Sequence, residues 1–230
     1  MARPSLLAVT AFCILAAGCG GTSAGSQAIV RNPAASGATV APEVGTNIHL
    51  LPDGTLYISV TRGSAQTSPP ASGADGVLYV DTKAQPNTWY FISARPASQR
   101  GTPNPPAGVE AYATADLPSL PTVDQHEALL KTDLAAGGRT QAHKSGGVEV
   151  IFVVSGQLEA HAGTFSATVL RAGQGAFVLE STPLQVFNPG GKPATFLDIY
   201  LLPAGKPLSQ PLARSVSLHR IGRTVIMNES

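Results

Sequence analysis

The chain has 230 residues, with 15 Lys and Arg against 14 Asp and Glu, and charged residues make up only 13% of it. So even a balance excludes the basic stripe that nucleic acid or an anionic membrane surface requires of a principal partner. The two cysteines argue against a disulfide framework, while 24 glycines and 19 prolines fit a turn-rich all-β chain long enough for one good core.

The first 18 residues read as an export signal: Arg3 supplies a positive charge, and 6–18 is a mostly apolar run too short to span a bilayer. Leu15-Ala16-Ala17-Gly18-Cys19 is similar to the lipobox of bacterial lipoproteins, departing from it at Ala16, where that family prefers leucine. The resemblance implies cleavage before Cys19, lipidation of that cysteine, and a protein anchored in the bacterial cell envelope on the outer side of a membrane. Cys13 then leaves with the signal, so no thiol remains for a disulfide, and without Arg3 the mature chain is formally neutral. An ordinary signal peptide cut nearby is the alternative. Residues 19–45, mostly Gly, Ser, Ala and Thr, have the composition of a flexible tether reaching roughly 25–30 Å as a random coil.

A β-rich extension is expected over 46–121, with strands at 47–51, 55–61, 77–81, 88–94 and 109–114. Pro52-Asp53-Gly54 is expected to join the first two as a hairpin, and 62–76 reads as a surface loop. Trp89 and Phe91 alternate with Tyr90 and share one strand face, as core rather than as a ligand platform. The six prolines between Pro96 and Pro121 exclude a central strand or a helix, and this stretch is expected to cover the barrel. Asp124, His126 and Glu127 could be a metal cluster, but they read better as solvated residues leading into a strand at 128–134. His49 and His219 have no partner near in sequence.

The densest signal runs from Gly137 to Asn188. Gln141, His143 and Ser145 are spaced two apart and point the same way if extended. Glu149 follows the Gly146-Gly147 turn, within an apolar run at 148–155 that reads as a strand buried on both faces. Further strands are expected at 165–170, 176–179, 184–188 and 194–202. His161 alternates with apolar neighbours and is expected to face water. Beyond 202 the partly alternating tail, with Arg214, His219, Arg220 and Arg223, suggests an edge strand, one that could pair across a homodimer.

The intervals Gly137-x5-His143-x-Ser145-x3-Glu149-x6-Gly156 resemble the first motif of the cupin family, with Ser145 in place of its second histidine. Gly173, Leu179, Ser181, Leu184 and Asn188 follow the spacing of its second motif. There Leu179 and Ser181 replace proline and glycine, and Leu184 replaces a metal-binding histidine. The resemblance implies an all-β, cupin-type jelly-roll barrel over 122–202 with additional N-terminal strands, and a C-terminal edge or tail over 203–230. It also implies a lumen site drawn from Gln141, His143, Ser145, Glu149, Leu184 and Asn188. Of the family's metal ligands only His143 and Glu149 remain, too few for the facial triad of non-haem iron chemistry. The leading reading is a barrel that binds a small organic molecule without a cofactor. A metal-dependent dioxygenase or isomerase that holds a divalent transition metal through His143 and Glu149 is one alternative, and a structural envelope protein with an inert lumen is another.

Overall fold

The computed structural model describes residues 36–49, 55–70, 76–101, 104–117, 124–163, 167–212, 217–221 and 224–228. The residues expected to form a signal segment, Cys19, the turn expected at 52–54 and Arg214 lie outside the described residues. The N-terminal strands are β1 (Ser36–Val40), β2 (Val44–His49), β3 (Leu56–Ser64), β4 (Val77–Asp81), β5 (Thr88–Pro96) and β6 (Glu110–Ala113). The barrel follows with β7 (Asp124–Arg139), β8 (His143–Ser145), β9 (Val148–Ser155), β10 (Gln157–Ala162), β11 (Thr168–Arg171), β12 (Gly175–Val178), β13 (Pro183–Phe187) and β14 (Ala194–Pro203). Last come β15 (Ser209–Pro211), β16 (Ser217–Ile221) and β17 (Thr224–Asn228).

β7 is the spine of the barrel. Along its 16 residues buried positions fall on both faces, and it pairs on both edges. β14 lies antiparallel along one edge, and β2, β1 and the end of β13 lie along the other. The barrel wall runs β11-β10-β13-β7-β14-β9-β12, and β11 returns against β12 and β9 to close it. Alternation then sorts β14 into two faces. Phe196, Asp198 and Tyr200 project into the lumen beside Leu134, Ile151, Val153, Leu158 and Leu184, while Leu197, Ile199 and Leu201 project outward.

That outward face is covered by a second sheet of order β4-β5-β3-β6. Leu56, Ile58 and Val60 of β3 and Tyr90 and Ile92 of β5 form one buried cluster with Leu129, Val150, Phe152, Leu197, Ile199 and Leu201 of the barrel. A part-buried charge cluster fastens the same interface: Lys131 Nζ stands 3.0 Å from Asp81 and 2.9 Å from Asp133, and the Thr195 hydroxyl donates to Asp133 at 2.7 Å. On the far face, Trp89 and Phe91 are buried as expected, and the Trp89 indole N–H points at Ser64 O, Thr67 O and Thr67 Oγ1.

Several expectations are corrected. The stretch read as tether ends in strands: β1 and β2 occupy 36–40 and 44–49, because small and β-branched residues there add a row to the edge of β7. β2 pairs with β7 and not with β3, so no hairpin joins the first two strands. The Pro-rich stretch is more than a cover for the barrel: it supplies β6 to the N-terminal sheet and stacks the Arg100 guanidinium 4.4 Å over Tyr57 there, while Tyr112 sets its ring 4.9 Å from that of Phe152 in the barrel and Leu117 joins the cluster between the sheets. Among the described residues of the tail, β15 adds to the barrel, on β8, and β16 and β17 pair with each other.

The motif glycines have a backbone reason. Gly137 and Gly173 have φ of 69° and 79°, a region that costs other residues about 1–2 kcal/mol. Ser181, which stands where the resemblance places a third glycine, adopts φ 63° and is the only non-glycine with positive φ among the described residues. Ser181→Gly is therefore expected to raise stability by about 1 kcal/mol, read as a higher urea midpoint with an unchanged slope. A lower midpoint would show that the serine side chain earns its conformation.

Candidate functional site

His143 enters the lumen from β8, whose register places it opposite Leu184. Glu149 enters from β9, opposite Tyr200 of β14. The Gly146-Gly147 turn brings them together, and it tolerates no side chain at Gly147, where a Cβ would sit 2.1 Å from Leu201 O. His143 Nε2 lies 3.1 Å from both Glu149 oxygens, its Nδ1 is 3.0 Å from Gln141 O, and the Tyr200 hydroxyl donates to Glu149 Oε1 at 3.3 Å. Glu149 is 1% exposed, and the His143 side chain 13%.

Two residues away on the lumen face of β14 lies Asp198, buried, with Oδ2 3.4 Å from the Thr132 hydroxyl and Oδ1 without a hydrogen-bond partner. Burial alone would lower the His143 imidazole, but the hydrogen bond and charge of Glu149 hold it up, at about 9. Burial and then the charge of Glu149 push the Asp198 carboxyl well above its ordinary range, His143 opposing. Burial, reinforced by Asp198 and Glu149, also raises the Tyr200 phenol. An imidazole held charged by Glu149 thus stands beside a carboxyl and a phenol that burial pushes toward their neutral forms.

The structure brings His143, Glu149 and Leu184 together in the lumen and sends the other expected members elsewhere. Gln141 precedes β8 in irregular chain, so strand alternation does not apply; its side chain is exposed and its carbonyl orients His143. Ser145 is buried, but its hydroxyl accepts from Gly147 N–H at 3.2 Å and so holds the turn. Asn188 follows the end of β13 and clamps the bulged end of β7. Its amide lies 2.9–3.0 Å from Leu134 O, Ala135 O and Lys192 O, while its oxygen accepts from Gly190 N–H.

The metal implied by the family resemblance does not fit the residues present. Both His143 nitrogens are engaged, Ser145 is tied to the turn, and Leu184 belongs to the apolar lining. Among the described residues no three His, Cys, Asp or Glu side chains are grouped to hold an ion.

Asp198 and Tyr200 were missed because they lie in an apolar strand whose role looked purely structural. A lone aspartate between Leu197 and Ile199 was the available signal. Asp124, His126 and Glu127 do not form one solvated group. β7 begins at Asp124, so His126 bonds Asn47 and Glu43 on one face, and Glu127, 1% exposed, points into the interface between the sheets. His161, expected in water, is 4% exposed.

A family model described as a cupin domain matches residues 130–200. Among solved structures the chain is similar to an uncharacterized conserved protein with a double-stranded β-helix domain from Klebsiella pneumoniae, at 22% identity over 34% of this chain and 69% of that one, TM-score 0.32. It is also similar to a cupin-like protein from Thermotoga maritima, at 16% identity over 40% of this chain and 67% of that one, TM-score 0.36. A third similarity is to a polyketide cyclase from Streptomyces resistomycificus, at 18% identity over 39% of this chain and 62% of that one, TM-score 0.33. A search of the curated proteins finds no match. The lumen cluster and the spine of the barrel both fall within the matched segment or at its edge, so the part of this all-β chain that is similar to a cupin domain, residues 130–200, is the part that builds the site.

Proposed function

We propose that the protein is an exported, lipid-anchored protein of the cell envelope whose cupin barrel binds a small organic molecule without a metal. Export and anchoring rest on the leader and on Cys19. Binding rests on the lumen cluster, and one observation carries it: Asp198 Oδ1 is buried without a partner beside His143, Glu149 and Tyr200. An unmatched buried oxygen costs about 1–3 kcal/mol, a cost that a purely structural core would shed by taking an apolar residue. A carboxyl with a free oxygen and a phenol, set in an aliphatic lining, suit a ligand with one hydrogen-bonding oxygen and an apolar body.

The test is ligand-observed NMR on EDTA-treated protein with a library of small alcohols, ketones and phenols. At least one compound is expected to bind wild type and the His126→Ala control alike, and to bind Asp198→Ala and His143→Ala much more weakly. Equal binding by all four proteins would reject the lumen as the site, and an absence of binders among these compounds would reject the reading itself.

A further inference from the structure

The outer wall of the barrel carries a second group of polar side chains. On β10, Leu158, Ala160 and Ala162 fill the lumen, so Glu159 and His161 project from the other side. The register sets His161 directly opposite Gln185 of β13, where side chains on one face stand about 4.5–5.5 Å apart at Cβ. Gln185 donates its amide N–H to Thr140 O at 2.9 Å, which fixes the amide plane and keeps its oxygen for another partner.

His161 is the unusual member. It is buried, yet neither Nδ1 nor Nε2 has a hydrogen-bond partner. Its Nε2 lies 3.5 Å from Glu159 Oε2. A charge-assisted hydrogen bond between these groups would be nearer 2.7–2.9 Å. Two ligands held at about 2.0–2.1 Å in a tetrahedron, however, stand roughly 3.4 Å from each other. The observed separation is close to the edge length of a coordination tetrahedron and too long for a good hydrogen bond.

We propose that Glu159, His161 and Gln185 form a divalent-metal site of the zinc class on the outer wall of the barrel, separate from the lumen. The imidazole supplies Nε2, the carboxylate supplies Oε2 and the charge, the amide oxygen is the third ligand, and water completes the shell. Burial lowers the His161 imidazole, with Glu159 opposing, so the ring is neutral and ready to ligate. The Glu159 side chain, 31% exposed, gives the ion its entrance.

Zn2+ titrated calorimetrically into the EDTA-stripped full chain tests this. One ion per chain is expected, with affinity lowered at least about tenfold in both His161→Ala and Glu159→Gln and unchanged in His126→Ala. Glu159 is partly exposed, so Glu159→Gln keeps the fold, and circular dichroism verifies it. The proposal is overturned if no zinc binds, if the first two variants bind as wild type does, or if His143→Ala abolishes binding while His161→Ala does not.

Discussion

Glu127→Gln is expected to make the protein more stable in alkaline solution, by of order 3–5 kcal/mol at pH 9, and to make little difference at pH 4. Glu127 sits between the two sheets, 1% exposed, with both carboxyl oxygens unpartnered and Gln125 equally buried and unpartnered two residues away. The register flanks it with Thr46 of β2 and Leu201 of β14. Burial pushes its carboxyl up to about 8, and only the backbone of Ala94 works against it. A raised carboxyl binds a proton in the folded state that the unfolded chain has already released. Its contribution is therefore fully present below the unfolded value near 4.5 and is lost as pH rises through about 8, at about 1.4 kcal/mol per unit. Glutamine keeps the shape and removes the titration. Urea unfolding of both proteins from pH 4 to pH 9 measures the difference, and parallel stability curves would show that Glu127 is not held neutral.

Glu149→Ala is expected to destabilise the barrel by about 3–5 kcal/mol at pH 6, because it strands a buried imidazole and removes the acceptor for the Tyr200 hydroxyl. The pH dependence follows from His143, whose value is raised to about 9 against 6.5 unfolded. The stability it contributes is fully present below about 6.5 and is lost as pH rises through about 9, so the gap between variant and wild type should narrow over that window. Chemical denaturation at pH 6 and pH 10 reads both numbers. A gap that stays constant across the window would mean that His143 is not charged beside Glu149.

The two carboxylates make a contrast. Glu149 keeps its buried place through three hydrogen-bonding contacts, whereas both Glu127 oxygens are unpartnered and only the backbone of Ala94 offsets its burial. A tightly packed apolar interface such as that between the sheets gains nothing from Gln125 and Glu127, which is why the alkaline gain from Glu127→Gln should be large.

Local patterning was enough for several strands and for the pairing at the heart of the site. The strand at 77–81 of the N-terminal sheet and that at 148–155 of the barrel fall where apolar runs and turn residues put them, and the spacing from His143 to Glu149 needed only one glycine turn to bring the two side chains together. These are local signals, because the period of two and the residues of a turn act within a few positions. Tertiary structure alone decided what each outward face would meet. His161 and Glu127 lie on strands whose alternation says only that they leave the lumen; whether that means water or a second buried layer depends on chain far away in sequence. The same holds for Asp198 and Tyr200, which join His143 only because β14 lies beside β9, and for residues 36–49, whose modest apolar content becomes strand because β7 offers an open edge. Long-range pairing sets burial, and burial sets which polar groups stay charged.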